Sequence, residues 1–201
     1  MGDSRDLLRD LGIDEGIVDT ETFEAVLCLA VEIAREGREG RSVGTMFVVS
    51  EAQATLQRSK PLILDPLQYH PENVKSIHDP DLRETVKELA QLDGAFIVSN
   101  DGVVLSACRY INASSEGINL PLGLGSRHMA GASITRETEA VAVVVSETAL
   151  VRIFVGGQLT GEIIPELWLL RERSLHVERP YSLRTDESLT VAYRSERGEG
   201  Q

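Results

Sequence analysis

The segment "AVAVVVS", Ala140–Ser146, constrains this chain more than any other. It is apolar and β-branched almost to its end. A strand of that kind is stable only in a sheet covered on both faces. The chain must therefore supply packing elements for two sides of one sheet. Three helical patterns offer them. In "TETFEAVLCLAVEIAREG", Phe23, Val26, Leu27, Ala30, Val31 and Ala34 recur at helical spacing, with Thr20 or Thr22 as the cap and Gly37 as the stop. In "DPDLRETVKELAQL", Asp79 caps, Pro80 takes the first helical position, and Leu82, Val86, Leu89 and Leu92 form the stripe. A third helix is expected from Arg127 to about Glu139.

Strand signals alternate with these helices. "VGTMFVVS" reads as a buried strand. "DGAFIVSNDGVVLSACRYI" reads as a hairpin turning at Ser99–Gly102, and "LVRIFVGGQLTGEII" as another turning at Gly156–Gly157. Residues 51–79, broken by Pro61, Pro66 and Pro71, predict turns and one extended piece. "GREGRS" reads as a polar turn, and "PELWLLRER" as a short helix or turn. Interleaved helices and strands predict an α/β single domain around a central mixed β-sheet flanked by helices. We expect an N-terminal extension over 1–20, the domain over 21–184 and a polar C-terminal tail over 185–201.

No apolar run approaches the roughly 18 residues that span a bilayer. The charged N-terminus lacks the apolar core of a signal peptide, so no membrane association and a cytoplasmic location are expected. Cys28 and Cys108 are far apart in apolar stretches and read as reduced core residues. The four histidines show no ligand spacing with them. Net charge is −12, and no basic patch announces nucleic acid. If such a chain handles an anion, its few cations must be gathered locally.

"GLGSRHMAG", Gly123–Gly131, is the candidate gathering point. A glycine-rich loop entering a helix offers free backbone N–H groups and the positive end of a helix dipole, which suits phosphate. Gly125 and Ser126 belong to that loop, Arg127 adds a planar donor fork and His128 a further donor. The alternative is a tight loop with Arg127 at the surface and His128 packed in the core. Asp93 stands between a helix and a strand, followed by the small Gly94 and Ala95. Ser146 and Glu147 close the buried strand, where Glu147 could share a cation with Asp93.

In order, Asp93-Gly94-Ala95, then Gly125-Ser126-Arg127-His128-Met129-Ala130-Gly131, then Ser146-Glu147 resemble the motifs of the diadenylate cyclase domain family, the nucleotide-binding domain at the N-terminus of DisA. The resemblance runs from about residue 22 to 165 and is closest to archaeal-type members. It implies a soluble, stand-alone enzyme that condenses two ATP into cyclic di-AMP and two pyrophosphates with Mg²⁺ or Mn²⁺. Each 3′-hydroxyl would attack the α-phosphate of the other nucleotide, so two sites of a homo-oligomer would face each other. The resemblance assigns Asp93, Arg127 and His128 to catalysis, and Asp93 and Glu147 to the metal. It assigns ATP to Gly94, Ala95, Leu120, Gly125, Ser126, Arg127, His128 and Ser146, with Leu122 a further candidate for the adenine. The chain departs from the family at Met129, where the family has a second arginine. That departure sustains a second reading, a catalytically weak regulatory protein that binds ATP or cyclic di-AMP. A purely structural oligomerisation domain would leave the cationic loop without a purpose.

Overall fold

Val141–Val145 (β5) forms the middle of a nine-stranded sheet, and its residues point alternately into two separate cores. Val141, Val143 and Val145 face one core, while Ala142 and Val144 face the other. Period-two geometry on a strand with no polar face makes this the only arrangement that buries every side chain. Thr45–Ser50 (β1) and Ala95–Ser99 (β3) behave the same way. Phe47, Val49, Phe96 and Val98 enter the first core, and Met46, Val48, Ala95 and Ile97 the second.

The computed structural model describes residues 4–14, 16–50, 52–165, 181–186 and 189–194. The other strands are β2 (Ser59–Pro61), β4 (Val104–Ile111), β6 (Val151–Val155), β7 (Gln158–Ile164), β8 (Tyr181–Asp186) and β9 (Leu189–Arg194). Their order is β2-β4-β3-β1-β5-β6-β7-β9-β8. The β1–β3 pair is parallel and the remaining pairs are antiparallel, so the sheet is mixed as expected.

Helices α1 (Ser4–Asp10), α2 (Thr20–Glu36) and α4 (Pro80–Leu89) serve the first core; α5 (Ser126–Glu137) covers the second. The cap of α2 is Asp19, whose carboxylate accepts from the Thr22 amide, rather than either threonine. Gly37 ends the helix at φ +57°. The α4 cap is Asp79, as the sequence predicts. Across α2 and α4, Lys87 reaches Glu32, Glu36 and Glu84, and Arg83 reaches Glu32.

Several expectations need correction. Leu8, Leu11, Ile13 and Val18 are buried in the first core, so the segment set apart as an extension packs as part of the domain. Strands also continue past residue 184. In β9, Val191 and Tyr193 pair with Ile163 and Gly161 of β7, and Val191 is buried. The composition of that tail is polar, but backbone pairing along β7 does not depend on composition. Cys28 is exposed on α2, while Cys108 is buried; both are free thiols. Between residues 51 and 79, a short helix α3 (Ala52–Gln57) precedes β2, the one extended piece. Pro61 is tolerated there because β2 is an edge strand. The "PELWLLRER" expectation lies outside the described residues.

Candidate functional site

The sheet's topology brings three chain segments to one edge. Since β1 runs parallel to β3 and antiparallel to β5, the starts of β1 and β3 lie beside the end of β5. Thr45 pairs with Val145, which sets Gly44 beside the Ser146–Glu147 corner. Phe47 pairs with Phe96, and following that register back brings position 44 level with position 93. The first turn of α5 meets the same edge.

Four residues converge there. The Arg127 guanidinium lies 3.8 Å from an Asp93 carboxylate oxygen. A Cβ on Gly44 would meet Arg127 Nη1 at 2.5 Å and Glu147 Cγ at 3.1 Å, so Gly44 provides the space into which both side chains fold. The Asp93 side chain is 89% exposed, which leaves its oxygens open to a ligand.

Two cavities share this wall, and Asp93, Arg127 and Glu147 line both. One, of about 420 Å³, is partly apolar, with Met46, Leu62, Tyr110, Ile111, Met129 and Ala130 in its lining and Arg109 among them. Arg109 is held by Ser59 Oγ at 2.9 Å and by the Leu56 and Ser59 carbonyls, and burial pulls its pKa below the ordinary arginine value. The other cavity, of about 300 Å³, is polar and includes Arg38, Arg41 and Ser42.

Helix α5 opens without a side-chain cap and without an acid in its first turn. Gly125 is the N-cap residue, and its carbonyl accepts from the His128 and Met129 amides. Ser126, at the helix start, lines the larger cavity. The orphan N–H groups of the first turn and the dipole's positive end therefore face ligand space.

Not every residue singled out by sequence reaches this wall. His128 is buried, its Nε2 3.0 Å from Arg152 Nη1, with its ring tilted against Phe154. A guanidinium only donates, so Nε2 accepts. His128 thus joins the buried Arg152–Glu162 pair (2.6 Å) and lines neither cavity, which is the core placement the sequence left open. The expected phosphate-facing role is corrected on that geometry: successive residues of a helix point about 100° apart, and only Arg127 faces the wall. Ser146 lines neither cavity. Its hydroxyl bonds Thr148 Oγ1 and accepts from the Thr148 amide, shaping the corner that carries Glu147. Leu120 packs against the second core, and Leu122 is 96% exposed; neither lines a cavity.

Ala95 is buried at the start of β3, below the wall. Gly94 lines the larger cavity, but its small size answers to the protein itself. At φ +106°, a Cβ would lie 2.6–2.7 Å from the Cys108–Arg109 backbone. That close approach goes with an irregular β3–β4 register and with Cys108 at φ +54°. Burial pushes the Cys108 thiol pKa up.

Sequence reasoning missed Gly44, Arg38, Arg41 and Arg109 as site residues. Gly44 was visible as the glycine before a strand, and the two turn arginines as the repeated "GR" of "GREGRS". Arg109 gave no signal, because it sits inside a strand.

Among the described residues, no three His, Cys, Asp or Glu side chains cluster as a metal cage, and no helix is long and apolar enough to cross a membrane.

The family described as "DisA bacterial checkpoint controller nucleotide-binding" matches residues 32–159. A diadenylate cyclase of Haloferax volcanii is 40% identical over 164 residues, covering 81% of this chain and 58% of that protein. A diadenylate cyclase of Methanocaldococcus jannaschii is 43% identical over 150 residues, covering 74% of this chain and 47% of that protein. The chain thus spans about half the length of these curated relatives. A crystal structure described as a hypothetical membrane spanning protein from Bacillus cereus shares the fold at 18% identity. Its TM-score is 0.54, over 74% of this chain and 65% of that one.

Proposed function

Because the chain belongs to the DisA nucleotide-binding, or diadenylate cyclase, domain family, we propose that it condenses two ATP into cyclic di-AMP and two pyrophosphates. One observation carries the reading: Asp93, Arg127 and Glu147 form the wall between a partly apolar cavity and a polar one that holds three arginines. A nucleotide has the same division. Its base suits the Met46, Leu62, Ile111 and Ala130 lining, and its phosphates suit the arginines and the open N-terminus of α5. The reacting α-phosphate then falls at the wall between them.

In the step itself, the 3′-oxygen of one ATP bonds to the α-phosphorus of the other. The bond from that phosphorus to the bridging oxygen breaks, pyrophosphate leaves with the electron pair, and the 3′-proton passes to Asp93. Arg127 neutralises charge on the phosphoryl oxygens, and the α5 amides orient them. Ser126 and Gly94 border the nucleotide. His128, through Arg152, holds α5 in place rather than touching phosphate.

The donor set fits Mg²⁺ or Mn²⁺, which would be held by Asp93 and Glu147. These are two hard carboxylates with exposed oxygens, and magnesium takes one or two carboxylates plus phosphate oxygens. When bound, the cation supplies charge neutralisation to the phosphates and a lower pKa to a bound hydroxyl. Two such walls must face each other to join two nucleotides symmetrically, so the active form is a homo-oligomer with face-to-face sites.

Met129 favours a second reading. It places a thioether in the larger cavity's lining where the family carries an arginine, and one lost charge-assisted contact is worth about 1.5–3 kcal/mol. On that reading the protein is a catalytically weak ATP- or cyclic-di-AMP-binding regulator. The deciding experiment incubates the protein with ATP and Mg²⁺ or Mn²⁺ and follows cyclic di-AMP by chromatography and mass. Accumulation of product supports the cyclase. Binding of ATP without product under either metal replaces it with the regulator.

A further inference from the structure

The smaller cavity contains cations that the α-phosphate does not need. We propose that it is a pyrophosphate pocket, in which Arg41 and Arg38 join Arg127 to receive the leaving group. The identity of the ligand rests on the cyclase reading above. The pocket itself rests on geometry.

The turn that carries both arginines is fixed. Arg38 and Arg41 exchange backbone hydrogen bonds of 2.9 and 2.8 Å. Gly37 before them has φ +57°, and a Cβ there would collide with the Arg41 carbonyl. Arg41 therefore stands at a rigid corner. Its side chain is exposed and makes no ion pair among the described residues. Arg38 is tied to Glu84 and Glu88 through Nη2, while its Nε is buried and has no hydrogen-bond partner among the described residues. A chain of net charge −12 with 20 lysines and arginines thus places three arginines around one cavity of about 300 Å³. That volume is at the low end for small-ligand sites, and the lining is too polar for a purine.

The charge balance narrows the ligand. Glu39, Asp93 and Glu147 share the lining, so three carboxylates offset three guanidinium groups. A bare polyanion gains little from a neutral pocket, whereas pyrophosphate accompanied by a divalent cation presents both signs. The wall residues Asp93 and Glu147 then serve the cation, and Arg41 and Arg38 the terminal phosphate oxygens. The cleaved bond faces the wall from the nucleotide side. Its products are accordingly sorted into two cavities, the nucleotide in one and pyrophosphate in the other.

The test uses the full chain and inorganic pyrophosphate with Mg²⁺, titrated calorimetrically, with AMP as the probe of the nucleotide cavity. Arg41→Ala is expected to weaken pyrophosphate binding about tenfold and to relieve product inhibition by a similar factor. AMP affinity should stay the same, and so should the melting temperature, since the Arg41 side chain makes no ion pair among the described residues and its backbone bonds to Arg38 survive the substitution. Failure of the parent protein to bind pyrophosphate, or equal affinity in Arg41→Ala, overturns the pocket. The two readings fail separately. Cyclic di-AMP production with Arg41-independent pyrophosphate binding removes the pocket and leaves the cyclase. Arg41-dependent pyrophosphate binding without cyclic di-AMP removes the cyclase and leaves the pocket.

Discussion

Gly44 and Arg127 are complementary: a methyl group on the glycine would lie 2.5 Å from the arginine's Nη1. The glycine's φ is not in the left-handed region, so the constraint is space and not backbone conformation. Gly44→Ala should fold with nearly unchanged stability, because a flexible guanidinium moves more readily than a strand. The displaced Arg127 should then lose phosphate contacts, and ATP affinity should fall about tenfold. Calorimetric titration of ATP checks this. An affinity equal to that of the parent protein would show that the guanidinium position does not matter.

Asp93→Asn removes a charge from an almost fully exposed side chain, so the fold should not notice it. Turnover should fall by at least about a hundredfold while ATP still binds, because a general base acts on the transition state more than on binding. Rates of cyclic di-AMP formation beside ATP affinities decide the matter. Unchanged turnover takes Asp93 out of the mechanism.

Gly94→Ala, one residue on, should behave in the opposite manner. At φ +106° with the Cys108 backbone 2.6–2.7 Å from the added methyl, relief requires moving a strand. Loss of stability of about 1–3 kcal/mol is expected in urea unfolding. A stable, inactive Gly94→Ala protein would contradict the packing role assigned here and return the residue to the ligand.

The Arg152–Glu162 pair is almost completely buried, and His128 hangs from it. Glu162→Gln removes the carboxylate charge 2.6 Å from the buried guanidinium. The cost should be about 3–5 kcal/mol, seen in chemical denaturation. A change under 1 kcal/mol, on the order of a neutral surface substitution, would mean that the pair is not what anchors α5.

Lys87 and Glu84 predict a pH dependence. The Lys87 hydrogen bond to Glu84 lowers the glutamate's pKa from its ordinary 4.5. For Lys87, burial lowers the pKa, but hydrogen bonds with Glu84 and Glu32 outweigh it and raise the value above 10.5. A lowered acid stabilises the fold above its unfolded pKa and loses that contribution as pH falls through the folded one. A raised base stabilises below its unfolded pKa and loses it as pH rises through the folded one. Lys87→Met should therefore lower the melting temperature at pH 7, and the gap from the parent protein should narrow towards pH 3. Thermal melts across that range check it, and a constant gap would place the effect in packing.

Much of the fold was legible in the sequence because its signals are local. Asp79-Pro80, the two hairpin turns and the apolar run at β5 depend on neighbours within a few residues, and the structure places each as expected. Leu189, Val191 and Tyr193 alternate too, but a polar surround hid a strand whose stability comes from pairing with β7. The site was half legible. Asp93, Arg127 and Glu147 were identifiable by chemistry and by family resemblance, and all three line the same two cavities.

The direction of His128, the purpose of Gly94 and the partnership of Gly44 with Arg127 were decided only by tertiary structure. By itself, the sequence determined the main core helices and strands, that one strand must be covered on both faces, and which residue types could handle a phosphate. Period and turn chemistry act within a single segment and are written there. The register that sets the start of β1 beside the end of β5 joins residues about a hundred positions apart. Which of two adjacent side chains on α5 faces ligand and which faces Arg152 depends on that packing, and the helix's own sequence is consistent with either.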